Sequence, residues 1–248
     1  MSKLVSVIIT TYNRLDLFKK SLNSVLEQSY KNYEIIVIDG SDNQNTGDYI
    51  EKNKKIKYYK SNNSHPNYLR NKGIELSSGE LIAFLDDDDI WDKEKIKKQV
   101  TCFQQNEIGL CYTGKNIVDH NEKFIKYSFK KQRFANAFIS ILWDNFIGTT
   151  SSIMVQSKVC KAIGNFDESL PALQDYDFCI RVCKQFKVRG INEALLNYRY
   201  NYSNLQLSKN NIKFGIACKL IKSKYKYKLL NFGLYKINFK RKLKAYYE

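Results

Sequence analysis

Apolar and polar positions fall into alternating blocks along the first hundred residues. LVSVIITTY (4–12) is β-branched and apolar, the pattern of a strand buried on both faces, and it ends at Asn13. LDLFKKSLNSVLEQ (15–28) puts Leu15, Phe18, Leu22, Val25 and Leu26 at helical spacing. YEIIVID (33–39), KIKYYK (55–60) and ELIAFLD (80–86) predict three more strands. Between them, a short polar helix is expected over 46–53 and a longer one over 66–79, opened by Pro66 and closed by Gly79. DKEKIKKQVTCFQQ (92–105) is helical again. Strands alternating with helices predict an α/β fold with a mostly parallel central sheet and helices on both faces.

After about residue 108 the pattern loosens. GLCYTGKNIVD (109–119), SSIMV (151–155) and ALLNYRYNY (194–202) read as strands, FANAFISILWDN (134–145) and QDYDFCIRVCKQF (174–186) as helices. The first part is a nucleotide-type sheet, and the second an appended half that completes a site.

Charge changes the picture at the C-terminal end. The chain of 248 residues carries a formal +16, and residues 209–248 hold twelve Lys/Arg against one Glu, so the tail alone supplies +11. Such a tail suits an anionic partner: nucleic acid, phospholipid or an anionic ligand. The six cysteines form no CxxC pair, and His65 and His120 give no zinc spacing, so reduced structural thiols are expected. MSKLVSVIITTY has no signal-peptide h-region, and no apolar run reaches the length of a membrane span. A cytoplasmic protein is the expectation.

In open α/β sheets ligands bind beyond the carboxyl ends of the strands. Here the first strand ends in Thr11, Tyr12, Asn13 and Arg14, the second in Asp39, and the fourth in a run of four carboxylates, Asp86 to Asp89. No GxGxxG and no GxxxxGK[ST] is present, so neither a dinucleotide fold nor a P-loop is supported. Adjacent carboxylates repel and need compensation. Asp86 and Asp88 alternate and could present oxygens to one hard cation, Mg2+ or Mn2+, with phosphate and water as further ligands. The other reading is helix capping, since a helix N-terminus favours negative charge and Asp89 and Asp92 precede one.

With these blocks in view, the sequence resembles the family-two glycosyltransferases, inverting enzymes of GT-A fold. The pieces that carry the resemblance are VSVIITTYNR (5–14), EIIVIDGSDNQNT (34–46), NYLRNKGIELSSGELIAFLDDDDIW (67–91), GNFDESL (164–170), QDYDFCIRV (174–182) and LLNYRYN (195–201). The resemblance implies a catalytic domain over 1–208, with a nucleotide-binding half (1–107) and an acceptor half (108–208), followed by a basic, aromatic-rich helical tail (209–248). It implies that Thr11, Tyr12 and Arg14 line the nucleotide pocket, that Asp39 accepts a hydrogen bond from the base, and that Arg70 reaches base or phosphates. Read without it, Asp39 is a turn residue and Arg70 a solvated helix residue. Asp86 and Asp88 match the family's DxD motif, with Asp87 nearest the ribose and Asp88 nearest the metal; Trp91 is read as a packing residue. Asp175 matches the catalytic base, whose usual preceding Glu is replaced by Gln174; Asp177 ranks second. A His common two residues after the YR pair is Asn201 here.

The implied activity is transfer of a sugar, by default from a UDP-sugar, to a hydroxyl of a glycan or lipid-linked acceptor in cell-surface polysaccharide synthesis such as capsule formation. Thymidine and guanosine donors are also used by similar proteins. A metal on Asp86 and Asp88 would stabilise the leaving diphosphate, and Asp175 would deprotonate the acceptor. Trp143, Asn145 and residues 149–152 are acceptor-side candidates, or else ordinary packing around a loop. Lysines interleaved with Phe, Tyr and Leu in the tail suit a peripheral position on the anionic inner face of the membrane. Two rivals remain open: a nucleic-acid-binding protein using that tail, although no nucleic-acid motif is present, and an inactive nucleotide-sugar-binding scaffold.

Overall fold

A computed structural model describes residues 2–51, 53, 55–104, 107–200 and 211–246, the last eight of these as helix backbone. Four strands form the parallel part of the sheet: β1 (Val5–Thr11), β2 (Tyr33–Asp39), β3 (Ile56–Lys60) and β4 (Leu81–Asp86), in the order β3-β2-β1-β4. Their register brings the carboxyl ends level. Thr11 lies beside Asp39 across one ladder and Thr10 beside Asp86 across the other.

The second half extends the same sheet. β8 (Ile153–Gln156) runs antiparallel to β4, and β6 (Ile108–Val118) antiparallel to β8. β9 (Lys187–Arg199) lies parallel to β6, and the two-residue β5 (Ile90–Trp91) pairs with its end. β7 (Phe124–Ser128) folds back on β6. Residues 201 and 202 lie outside the described residues, and the expected strand over 194–202 is, as far as Arg199, the end of a longer one. Its first part is largely exposed, so no apolar run announces it. β7, also exposed, was not anticipated.

Side chains alternate between two apolar layers. Ile8, Ile36, Ile82 and Phe84 point to one, Val7, Ile9, Val37, Ala83 and Leu85 to the other. The second layer is covered by α1 (Leu15–Leu26) through Phe18, Leu22 and Val25 and by α4 (Lys95–Cys102) through Ile96. α4 starts later than expected because the Asp92 carboxylate first accepts the Glu94 amide at 2.8 Å in a turn. α2 (Asn45–Ile50) is the short polar helix.

The first layer is covered by α3 (Pro66–Leu76), α5 (Ala137–Trp143), α6 (Ser157–Ile163) and α7 (Gln174–Gln185). α3 sits unusually close to β1: a Cβ on Gly73 would lie 2.4 Å from the Ile8 side chain. The same layer takes in the tail. α8 (Asn211–Lys224) and α9 (Lys228–Tyr246) contribute buried Ile221, Leu230 and Leu234 to it, and the link between them contributes Tyr225. At Gly233 α9 meets α5 so closely that a Cβ would fall 2.2 Å from the Leu142 carbonyl oxygen. The described tail is therefore built into the fold. Among the described residues no helix is long and apolar enough to cross a membrane.

Candidate active site

The level strand ends form the floor of a charged cleft. Arg14, just after β1, reaches Asp88 at 2.9 Å and Asp87 at 3.4 Å. Asn13 before it takes a left-handed backbone (φ 54°) and turns the chain there, a conformation asparagine tolerates. Asp87 is buried and turned inward. It accepts from the Thr11 hydroxyl at 2.8 Å and the Tyr12 amide at 3.3 Å. Arg70 on α3 is mostly buried and donates to Asp86 at 2.7 Å. Asp39, fully buried, accepts from the Ser41 amide and the Tyr58 hydroxyl, each at 2.8 Å, and pairs with Lys60 at 3.3 Å. The turn role read for it is present in that Ser41 bond. The Tyr12 hydroxyl faces Asp42 at 3.0 Å.

The four-carboxylate run is held by its backbone. The Ser21 hydroxyl donates to the Asp87 and Asp89 carbonyls at 2.8 and 2.6 Å, and the Asp86 amide donates to Ser151 Oγ at 3.1 Å. Trp91 packs, with its indole N–H on the Ser151 carbonyl at 3.0 Å and the buried Lys95 ammonium 4.7 Å from its ring centre. Charge in the loop is not fully compensated. Burial foremost pushes Asp87 up to about 7, against the pull of Arg14. Asp88 is raised by burial and by Asp86 despite Arg14, and Asp89 is raised well above the carboxylate range by burial, Asp88 and Asp86. Asp86 and Asp88 keep partly exposed side chains while Asp87 and Asp89 are buried.

Two partly exposed carboxylates in a surplus of negative charge are hard oxygen donors that suit Mg2+ or Mn2+. Among the described residues no group of three His, Cys, Asp or Glu could hold an ion by itself, so phosphate and water oxygens would have to complete the shell.

Asp175 stands at the first turn of α7, and the Tyr176 amide donates to its Oδ1 at 2.8 Å. Its carboxyl is raised, by burial first and also by Asp86, while Arg70 and Lys115 act the other way, so it shares the cleft with the loop. Asp177, the second-ranked base, is buried behind the helix and bound to Arg181, Lys224 and Tyr225. His65 precedes α3 with Nδ1 buried and unpartnered, and burial lowers its pKa. Asn201 lies outside the described residues. On the acceptor side, Trp143 packs against Phe134 and Phe232, Asn145 bonds to Gly148, and residues 150–152 are buried in a 3-10 turn behind the loop.

Three residues in the cleft were not singled out from sequence. Arg199 donates from its backbone to Asp89 at 3.2 Å and from Nε to the Asp88 carbonyl at 3.2 Å, and pairs with Glu122. The Lys115 ammonium lies 4.4 Å from the Tyr198 ring centre, and Tyr198 is raised well above its usual range by burial and by Asp89, Asp88, Asp86 and Asp175. The YR pair in LLNYRYN was the available signal.

The sequence profile of Glycosyl transferase family 2 matches residues 6–164, more than half of the chain. This chain belongs to that family. The glycosyltransferase is 33% identical over 206 residues to an uncharacterized glycosyltransferase of Methanocaldococcus jannaschii, across 79% of this chain and 70% of the other. It is 28% identical over 206 residues to the putative teichuronic acid biosynthesis glycosyltransferase TuaG of Bacillus subtilis, across 79% of each. Its structure resembles S. aureus TarS 1–349 in complex with UDP-GlcNAc, with a TM-score of 0.69 at 18% identity over 88% of this chain and 66% of that one. It also resembles the mannosyltransferase PcManGT from Pyrobaculum calidifontis in complex with GDP-Man and Mn2+, with a TM-score of 0.65 at 15% identity over 88% and 65%. At such identities the likeness establishes the fold, GT-A, as expected from the sequence.

Proposed function

We propose that this glycosyltransferase moves a sugar from a nucleotide-diphosphate sugar, UDP-linked by default, to a hydroxyl of a glycan or lipid-linked acceptor, with inversion, in the synthesis of a surface polysaccharide. The observation that carries the reading is electrostatic. Asp86 and Asp88, paired with Arg70 at 2.7 Å and Arg14 at 2.9 Å, make a loop suited to a diphosphate, and α7 brings Asp175 near enough to feel the charge of Asp86, Arg70 and Lys115. TuaG is named for teichuronic acid biosynthesis, and TarS was solved with UDP-GlcNAc, which supports the substrate class. PcManGT was solved with GDP-Man, so the fold admits more than one nucleotide.

In this reading Thr11, Tyr12, Arg14 and Asp39 receive the nucleotide, Asp87 the ribose, and Arg70 the base or the phosphates. Asp86 and Asp88 would hold Mn2+ or Mg2+, which supplies a Lewis acid to the leaving diphosphate. Asp175 takes the acceptor proton, and one in-line displacement from the face opposite the leaving group inverts the anomeric centre. Gln174 leaves Asp175 without a second acid beside it. Its own burial and Asp86 raise it instead, moving it toward the pH at which a base works best.

The anionic membrane remains a proposed partner of the tail, now confined to one face of α8. Phe214, Ala217 and Ile221 point inward, whereas Ile212, Ile216 and Leu220, four residues apart, are 75%, 47% and 39% exposed. Exposed Lys219 and Lys222 flank that stripe, as an interfacial helix requires.

A thermal-shift panel of UDP-, GDP- and thymidine-diphosphate sugars, with and without Mn2+, tests the reading. One donor class should raise the melting temperature only with metal present, since a ligand selective for the native state stabilises it. No shift with any donor would overturn it.

A further inference from the structure

The tail reaches the helix that carries the base. Leu173, two residues before Asp175, has φ 59° and ψ 27°, a left-handed conformation unfavourable for a leucine. Such a conformation persists only where the surroundings over-determine it. Here the two residues after Asp175 are both fixed. The Tyr176 hydroxyl donates to the Ile141 carbonyl of α5 at 2.9 Å, and α9 closes over that contact: a Cβ on Gly233 would lie 3.1 Å from the same hydroxyl. Asp177 is completely buried, and its carboxylate takes the Lys224 ammonium and the Tyr225 hydroxyl, each at 2.8 Å, as well as Arg181 at 2.8 Å. Lys224 and Tyr225 stand at and just beyond the end of α8, nearly fifty positions downstream.

Lys224 also binds a second acid, Asp167, at 2.8 Å, and holds it down to about 2 together with Ser169. The Asp167 carbonyl accepts from Asn67 at 2.6 Å. Asn67 lies one turn before Arg70 on α3, and Arg70 pairs with Asp86. One tail ammonium therefore joins the base helix to the segment that braces the donor-side arginine.

We infer that the tail is a clasp on the first turn of α7, with Lys224 and Tyr225 as positioning residues that set where the Asp175 carboxylate stands. The inference rests on Asp175 being the base. Asp177 thereby acquires a role as the clasp's anchor.

The test uses the full chain with Lys224→Met, Tyr225→Phe and the conservative Lys224→Arg. UDP affinity in Mn2+ is measured by calorimetry, and slow hydrolysis of UDP-GlcNAc, with water as acceptor, by UDP release. Small misplacements of a reacting group can cost about 10²-fold in rate. Lys224→Met and Tyr225→Phe should lower kcat roughly tenfold to a hundredfold with Kd for UDP within twofold, and Lys224→Arg should recover most of kcat. Unchanged kcat, or kcat and UDP affinity falling together, would overturn the clasp, the second because it marks a general loss of structure. Hydrogen exchange gives a readout independent of activity. Lys224→Met should expose amides at 174–178 while those of β1 and β4 stay protected; uniform loss, or none, would also overturn it. A wild type that neither binds UDP nor hydrolyses the donor would instead remove the functional reading, and exchange alone would then decide the clasp.

Discussion

The acidic loop and the lone Asp177 use the same residue type to opposite ends. The loop from Asp86 to Asp89 crowds four acids around Arg14 and Arg70, and three of them remain raised above their ordinary range. Asp177 is alone, and Arg181, Lys224 and Tyr225 saturate it. Surplus charge leaves a site that a cation or phosphate-bound metal can complete, whereas balanced charge makes a joint. The difference between a working acid and a structural one lies in the donors around it, and those come from distant parts of the chain.

The comparison is sharpest at the two aspartates of α7. Asp175→Asn should lower transfer roughly 10²- to 10⁴-fold with donor affinity kept, the range of a lost general base. Near wild-type transfer would move the base elsewhere. Asp88→Asn should remove metal-dependent donor binding at unchanged melting temperature, because it takes away surplus charge; wild-type affinity in calorimetry with Mn2+ would break the assignment. Asp177→Asn should do the reverse. Removing one partner of a buried ion pair costs about 3–5 kcal/mol, and less here because Lys224 is partly exposed, so a loss of roughly 2–3 kcal/mol in denaturant unfolding is expected.

A smaller effect concerns pH. Asp87 titrates near 7 in the folded chain, above its unfolded value, so between about pH 4 and 7 the folded state holds the extra proton. Stability without metal should therefore fall as pH rises from 5 to 8, by a few degrees of melting temperature. Asp88 and Asp89, raised by burial, act in the same sense as Asp87. Asp167 opposes only as pH falls from about 4 toward 2, while His65, lowered by burial, and Lys95, lowered by burial to about 7, oppose within the window and reduce the net fall. Added Mn2+ should stabilise more at pH 8 than at pH 5, and Asp87→Asn should flatten the slope; a slope unchanged in that variant would show that other groups cause it. Smallest of all, Ile216→Ser should weaken sedimentation with anionic vesicles several-fold at low salt and leave donor binding intact. Equal sedimentation would remove the lipid face of α8.

The parallel half was legible in the sequence because each strand there is a buried apolar run ending in polar residues. The second half was legible only in part: β6, β8, α5 and α7 fall where their apolar patterns place them, whereas β7 and the start of β9 are exposed and carry no periodic signal. The roles of Arg199, Lys115 and Tyr198 depend on strands far apart in sequence meeting across the cleft, which no local pattern reports. The tail is helical, as its sequence suggests, but its packing was not legible: the buried face of α8 is carried by a few residues, Phe214, Ala217 and Ile221, and Lys224 pairs with two distant acids.

The register that sets Thr10 beside Asp86 and Thr11 beside Asp39 limits how the gene for this chain can drift. Gaining or losing one codon inside β1 or β4 would turn every later side chain of that strand to the opposite layer and carry Asp86 away from Arg70. The same change in the exposed polar turn at 42–44 only alters the length of a connection, which costs little. Length variation compatible with activity is thus confined to the rims of the sheet, and a library of single-codon deletions should show active members clustered there.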